Sequence, residues 1–101
     1  MSEYDQRQYQ LMLEQIQAYK SKRITLEHLV AGLESLCGVL EVADSRWKAA
    51  FGKSWGILDN AYANIMTKGL AHLAAEEQKL VDDAVGQLKS MVEDQLSDDH
   101  Q

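Results

Sequence analysis

The chain has no proline and only one cysteine among its 101 residues. Because proline is the strongest helix breaker, its absence leaves every segment of the chain free to be helical. A single cysteine cannot form an internal disulfide, so we expect Cys37 to be a free thiol on an apolar face, in a reducing compartment. These absences favour a helical cytoplasmic protein that folds without covalent cross-links.

Long apolar runs and an excess of basic charge are also missing. No run approaches the roughly 18 residues that a membrane span needs, and the first segment, MSEYDQRQYQ, lacks the apolar core of a signal peptide. The 16 Asp and Glu outnumber the 10 Lys and Arg, which gives a formal charge of -6 at pH 7. Since phosphate binding needs clustered cations, we expect neither a nucleic acid nor a membrane as partner. A basic protein fits this charge, although acidity also serves solubility alone.

Large side chains recur at intervals of three and four residues in the middle of the chain. On a helix with 3.6 residues per turn they form one continuous stripe. The stripe consists of Trp47, Phe51, Trp55, Leu58, Tyr62 and Ile65. Because it holds both tryptophans and the only phenylalanine, we expect this helix to be central to the hydrophobic core.

Apolar periodicity and capping residues predict an all-α protein with four helices in one domain, residues 1–101. Thr25 is the expected N-cap of the second helix, Asp44 or Ser45 that of the third, and Gly69 ends the third. The short connections between the helices favour an up-down four-helix bundle. The predicted helices cover residues 3–20, 25–41, 44–66 and 75–96. The inward-facing residues expected on the last helix are Leu80, Val81, Ala84, Leu88, Met91 and Val92.

Residue types that carry catalysis are sparse in this sequence. His28, His72 and His100 lie on different segments, without the spacing that places two metal ligands on one helical face. Cys37 lacks the electropositive setting of a catalytic thiolate, and no glycine-rich phosphate loop follows a strand. We therefore expect no enzyme activity, no cofactor and no metal. A site between helices that uses His28 or His72 is the rival interpretation.

Acidic residues lie along the second and third predicted helices. Glu27, Glu34 and Glu41 recur every seven residues, which places them along one solvated edge of a helix, and Asp44 and Asp59 extend the acidity to the next helix. Such a surface recognises lysines and arginines of a protein partner and mainly raises association rate and specificity. An ordinary solvated face is the alternative. The predicted partner-binding residues are Glu27, Glu34, Glu41, Asp44, Asp59 and the exposed aromatic Tyr4.

Three segments resemble small all-helical immunity proteins of bacterial polymorphic and contact-dependent growth inhibition toxin systems. The segments are ITLEHLVAGLESLCGVLE, WKAAFGKSWGILDNAYA and EEQKLVDDAVGQLKSMV, and the resemblance extends from Ile24 to Val92. It implies a cytoplasmic protein, expected to be monomeric, that binds the toxic domain of a cognate effector and blocks its active site or substrate entry. That domain is expected to be basic, often a nuclease. The similar positions are mostly core positions, so the resemblance carries no site residue.

A non-catalytic scaffolding or adaptor protein that self-associates is the other class of function. Its predicted seam contains Gly52 and Gly56 together with Leu11, Val39 and Ile57, which lie off the main apolar stripes. Glycine in a helix interior costs about 1 kcal/mol relative to alanine. The two glycines therefore either let a neighbouring helix approach closely or are tolerated without a packing reason.

Overall fold

The computed structural model describes residues 3–69 and 73–98, and this part of the chain is helical without any strand. Its helices are α1 (Glu3–Lys20), α2 (Leu26–Gly38), α3 (Ser45–Lys68) and α4 (Ala75–Asp98). The all-α prediction is confirmed. The prediction that the second helix reaches residue 41 is wrong, because α2 ends at Gly38 and the chain turns away there. The last two helices run slightly past their predicted ends.

Local side-chain and backbone chemistry sets the helix ends. The Thr25 hydroxyl accepts a hydrogen bond from the His28 amide (3.1 Å), and the Asp44 carboxylate accepts one from the Arg46 amide (2.7 Å). These bonds satisfy donors that have no partner within the helix. At the end of α3, Gly69 adopts φ 65, the left-handed conformation of a C-cap. The predicted caps are therefore confirmed.

The helices form an up-down bundle in which each packs against two others. α1 contacts α2 and α4, and α3 likewise contacts α2 and α4. The α1–α3 and α2–α4 pairs lie on the diagonals, with no close backbone approach among the described residues. The radius of gyration, 13.8 Å, agrees with the roughly 13 Å expected for a compact chain of this length.

Aromatic side chains fill the space between the diagonal helices α1 and α3. The rings of Trp47 and Phe51 stack with centroids 5.2 Å apart, and Tyr9 of α1 meets Trp47 edge-on at 5.3 Å. Both arrangements are favourable geometries for aromatic quadrupoles. Phe51 and Leu58 are fully inside, while the other stripe residues are partly buried against the core. Two of the six stripe residues thus hold α3 in the core, and the other four cover its edge.

The two indole groups join α3 to both of its neighbours. The Nε1 of Trp55 donates to the Val30 carbonyl of α2 at 2.9 Å. The Nε1 of Trp47 donates to the Met91 carbonyl of α4 at 3.3 Å. Each tryptophan therefore buries part of its ring while its indole N–H still has a hydrogen-bond acceptor.

Helix α4 departs from the prediction at Leu80, which is 57% exposed. Its core positions are separated by three, one, three and four residues, and they are Val81, Ala84, Val85, Leu88 and Val92. Met91 is partly buried beside them. Because successive helical residues are rotated by about 100°, Leu80 points away from the face that Val81 buries. Leu73 packs against the core as predicted, whereas Leu70 lies outside the described residues.

The α3 glycines do not mark a close helix contact. A Cβ added at Gly52 or Gly56 would meet nothing within 4 Å, so the close-approach hypothesis is wrong for both. The tight position is Gly32 of α2, where a Cβ would lie 3.0 Å from the Oε1 of Gln15 on α1. None of the described helices combines the length and apolarity that crossing a lipid bilayer requires.

Candidate protein-binding surface

A buried carboxylate of α1 holds the connection between α2 and α3. Asp5 is 0% exposed, and its Oδ1 and Oδ2 accept hydrogen bonds from the amides of Glu41 (2.8 Å) and Val42 (2.9 Å). Bonds to an ionised acceptor are about twice as strong as neutral ones. Sequence reasoning missed this role, although Asp5 stands four residues before Tyr9 and so continues the buried stripe of α1. That register was the available signal.

Three of the predicted partner-binding residues lie at the end of the bundle that Asp5 organises. Tyr4 is 44% exposed on the first turn of α1, Glu41 projects from the connection, and Asp44 caps α3. Val42 beside them is 64% exposed. Glu41 is therefore not on the helix of Glu27 and Glu34, as the seven-residue spacing predicted, because α2 has already ended at Gly38. This end combines carboxylates with apolar side chains.

The other three predicted residues, Glu27, Glu34 and Asp59, lie along the contact between α2 and α3. Desolvation raises the pKa of Tyr62. The charge of the adjacent Glu27 carboxylate raises it further, as does the hydrogen bond that this carboxylate accepts from the Tyr62 hydroxyl. Asp59 is half-buried on α3, one turn before Tyr62. Glu34 is exposed two turns along α2 from Glu27. The six residues thus form two groups, one along this contact and one at the bundle end, with Glu34 between them.

The cysteine and histidine chemistry gives no support to a catalytic centre. Burial raises the pKa of the Cys37 thiol, and the charge of Lys48 lowers it by less, so the thiolate form is disfavoured. Within residues 3–69 and 73–98, no three His, Cys, Asp or Glu side chains are placed to hold a metal ion. His28 lines an open depression of about 430 Å³ on the outer face of α2, and His72 lies outside the described residues.

The residues of the predicted self-association seam are spread over three parts of the bundle. Leu11, Val39 and Ile57 are all exposed, as expected. However, Leu11 belongs to α1 and Ile57 to α3, which are diagonal in the bundle, and Val39 follows the end of α2. Leu11 and Ile57 therefore lie on helices whose backbones make no close approach in the part of the chain that the structure describes.

Comparison with known proteins finds no family model, no curated protein and no solved structure that matches this chain. The resemblance of the three segments to immunity proteins therefore stays a prediction. Among the described residues, the carboxylates of the predicted surface are exposed or half-buried, and Glu27 lines the open depression on α2. Such a surface is suited to contact with another macromolecule.

Proposed function

We propose that the protein is an immunity protein that binds a basic bacterial toxin domain and occludes its active site or substrate entry. The observation that supports this most is the charge of residues 26–44. This segment holds four acidic residues and no lysine or arginine, and all four side chains are exposed. They are Glu27, Glu34, Glu41 and Asp44. An anionic surface of this kind stands in for the phosphate backbone that a basic nuclease grips.

Two acidic side chains lie near the C-terminal end of α2, where the helix dipole is negative. A carboxylate near the C-terminal end of a helix opposes the dipole by roughly 0.3–1 kcal/mol. α2 has no basic residue in its last turn, and Glu34 and Glu41 lie at that end. Lys48 of α3 offsets part of this negative potential, since its Nζ donates to the Leu40 carbonyl at 3.4 Å, and lysines or arginines of a partner would add further positive charge.

The bundle end supplies apolar contacts and a pre-ordered backbone. Tyr4, Val39 and Val42 are exposed near Glu41, and such apolar groups provide most of the affinity when a partner buries them. The Glu41 and Val42 amides are held in place before any partner arrives, because both donate to the Asp5 carboxylate. Less ordering entropy is then lost on binding. An interface of standard size, about 1,600 Å² in total, is sufficient for tight inhibition.

The direct test is protection from a toxin. The reading frame immediately upstream is examined for a large secreted effector with a variable C-terminal domain, and that domain is co-expressed with this protein. We expect growth to be restored and the two chains to co-purify in a fixed ratio. Growth arrest that persists while both proteins accumulate would contradict the proposal.

Charge-neutralising variants test the binding surface at the level of association rate. The first variant removes three charges by Glu34→Gln, Glu41→Gln and Asp44→Asn. Asparagine is also a good N-cap, so α3 keeps its start. The matched control changes the net charge by the same three units away from the bundle end, by Glu14→Lys and Asp82→Asn, and both side chains are exposed. At low salt we expect the first variant to associate about tenfold more slowly with the toxin domain than the control. Equal rates would show that the toxin binds another face.

A further inference from the structure

A groove between α3 and α4 leaves large apolar side chains in water. Ile57 is 39% exposed on the α3 side and Leu80 is 57% exposed on the α4 side. Buried Ala61 and Val81 form the floor, and the groove has a volume of about 290 Å³. Covering this apolar area is favourable by about 25 cal/mol per Å². The groove lies away from the bundle end that Asp5 organises.

The α4 wall of the groove is acidic around Leu80. On a helix surface, the neighbours of a residue lie three and four positions away. For Leu80 these are Glu76, Glu77, Asp83 and Ala84, and of the three carboxylates only Glu77 lines the groove itself. Lys79 lies within one turn of Glu76 and Asp83 and offsets part of their charge, so the charge of α4 around Leu80 remains negative on balance. The helix dipole favours Glu76 and Glu77 in the first turn of α4. It does not account for Asp83, which lies beyond that turn.

The α3 wall carries neutral amides beside the groove. The Nδ2 of Asn64 donates to the Oε2 of Glu77 at 3.1 Å, so one carboxylate is held at the α3 side. Asn60 also lines the groove, and Lys53 lies one turn before Ile57. Positive charge on a ligand is therefore favoured at the Leu80 end and disfavoured near Lys53.

We propose that this groove binds a cationic segment of another protein. An aliphatic or aromatic side chain of that segment enters between Ile57 and Leu80, while lysines or arginines beside it pair with the carboxylates around Leu80. A volume of 290 Å³ is at the lower limit of small-molecule sites, about 300–1,000 Å³, and suits side chains. An amphipathic helix in a groove is an established mode of recognition. The proposal does not depend on the immunity function.

The experiment uses the full chain and a synthetic amphipathic helical peptide of lysines and leucines as the probe. Amide chemical shifts of the protein and fluorescence anisotropy of the labelled peptide are followed together. We expect the largest shifts in residues 57–64 and 76–84. Peptides with serine in place of leucine, or glutamate in place of lysine, should bind at least about tenfold more weakly, since each lacks one half of the contact.

Two protein variants and two matched controls locate the contact. Leu80→Ser should weaken binding about tenfold and Asp83→Asn about threefold, and both side chains are exposed, so the fold should be retained. Leu11→Ser and Glu14→Gln make similar changes on exposed positions of α1, outside both proposed surfaces, and should leave the affinity unchanged.

Four results would overturn the proposal. They are equal weakening by the controls, shifts centred on residues 39–44, absence of binding at about 1 mM peptide, and a concentration-dependent dimer that Leu80→Ser abolishes. The last result would assign the groove to a second copy of the chain. Failure of toxin protection would leave these measurements unaffected, so the two proposals can fail separately.

Discussion

Removal of the Asp5 carboxylate should destabilise the bundle more than any other single change in the first turn of α1. Asp5 is fully enclosed and accepts the amides of Glu41 and Val42 at 2.8 and 2.9 Å. In Asp5→Ala both amides lose this acceptor. The connection between α2 and α3 then loses its attachment to α1, and its exposed groups lose their fixed position.

The expected magnitude follows from two charge-assisted hydrogen bonds. Each contributes about 1.5–3 kcal/mol, or about 3–6 kcal/mol together. Alanine also removes the cost of burying a carboxylate, so the net loss should be near the lower value, about 3 kcal/mol. Asp5→Asn retains one acceptor oxygen but turns an NH₂ group toward the other amide. We expect a loss of about 2 kcal/mol for this variant.

Urea unfolding, followed by far-ultraviolet circular dichroism, measures these differences as shifts in the free energy of unfolding. Glu3→Ala is the matched control, because Glu3 is an exposed carboxylate in the same helical turn. It should cost only the dipole interaction, about 0.3–1 kcal/mol. If Asp5→Ala and Glu3→Ala lower the free energy of unfolding equally, the reasoning about the buried carboxylate is refuted.

Two further predictions concern the glycines and the pH dependence of stability. Gly52→Ala should raise the free energy of unfolding by about 1 kcal/mol in thermal melts, because the added Cβ meets nothing within 4 Å. Gly69→Ala, at φ 65, should lower the free energy of unfolding by about 1 kcal/mol. If Gly52→Ala lowered the free energy of unfolding instead, the face of α3 that carries Gly52 would have to be covered. Burial, and then the charges of Asp5 and Cys37, raise the pKa of Tyr9 from 10.0 to about 12. The unfolded chain therefore loses this proton first, and stability should fall between pH 10 and 12. Tyr9→Phe should make that fall smaller, whereas an unchanged slope would contradict the assignment.

The helices and their ends were predictable because their signals are local. The spacing from Trp47 to Ile65 reports one helical face, and Thr25, Asp44 and Gly69 act on backbone groups within a few residues. Bundle topology followed from the short connections. Leu80 was mispredicted because an apolar residue adjacent to the stripe looks the same in sequence whether it is buried or exposed.

The binding surface was predictable only in part. Glu27, Glu34 and Tyr4 were correctly placed outside the core because they lie off the apolar stripes. The spacing of Glu41 suggested a continuous acidic edge, but spacing does not show where a helix stops. Asp5 bonds to residues 36 and 37 positions away, and no local pattern reports such a pairing.

The amino-acid sequence by itself determined the helical class, the core face of α3, the caps and the acidic character of the exterior. These depend on periodicity and on interactions within one turn of helix. Only the tertiary structure decided which charges share a surface, that Asp5 is enclosed, and that Ile57 and Leu80 line one groove. The physical reason is that burial and contact between helices depend on packing partners far away in the chain.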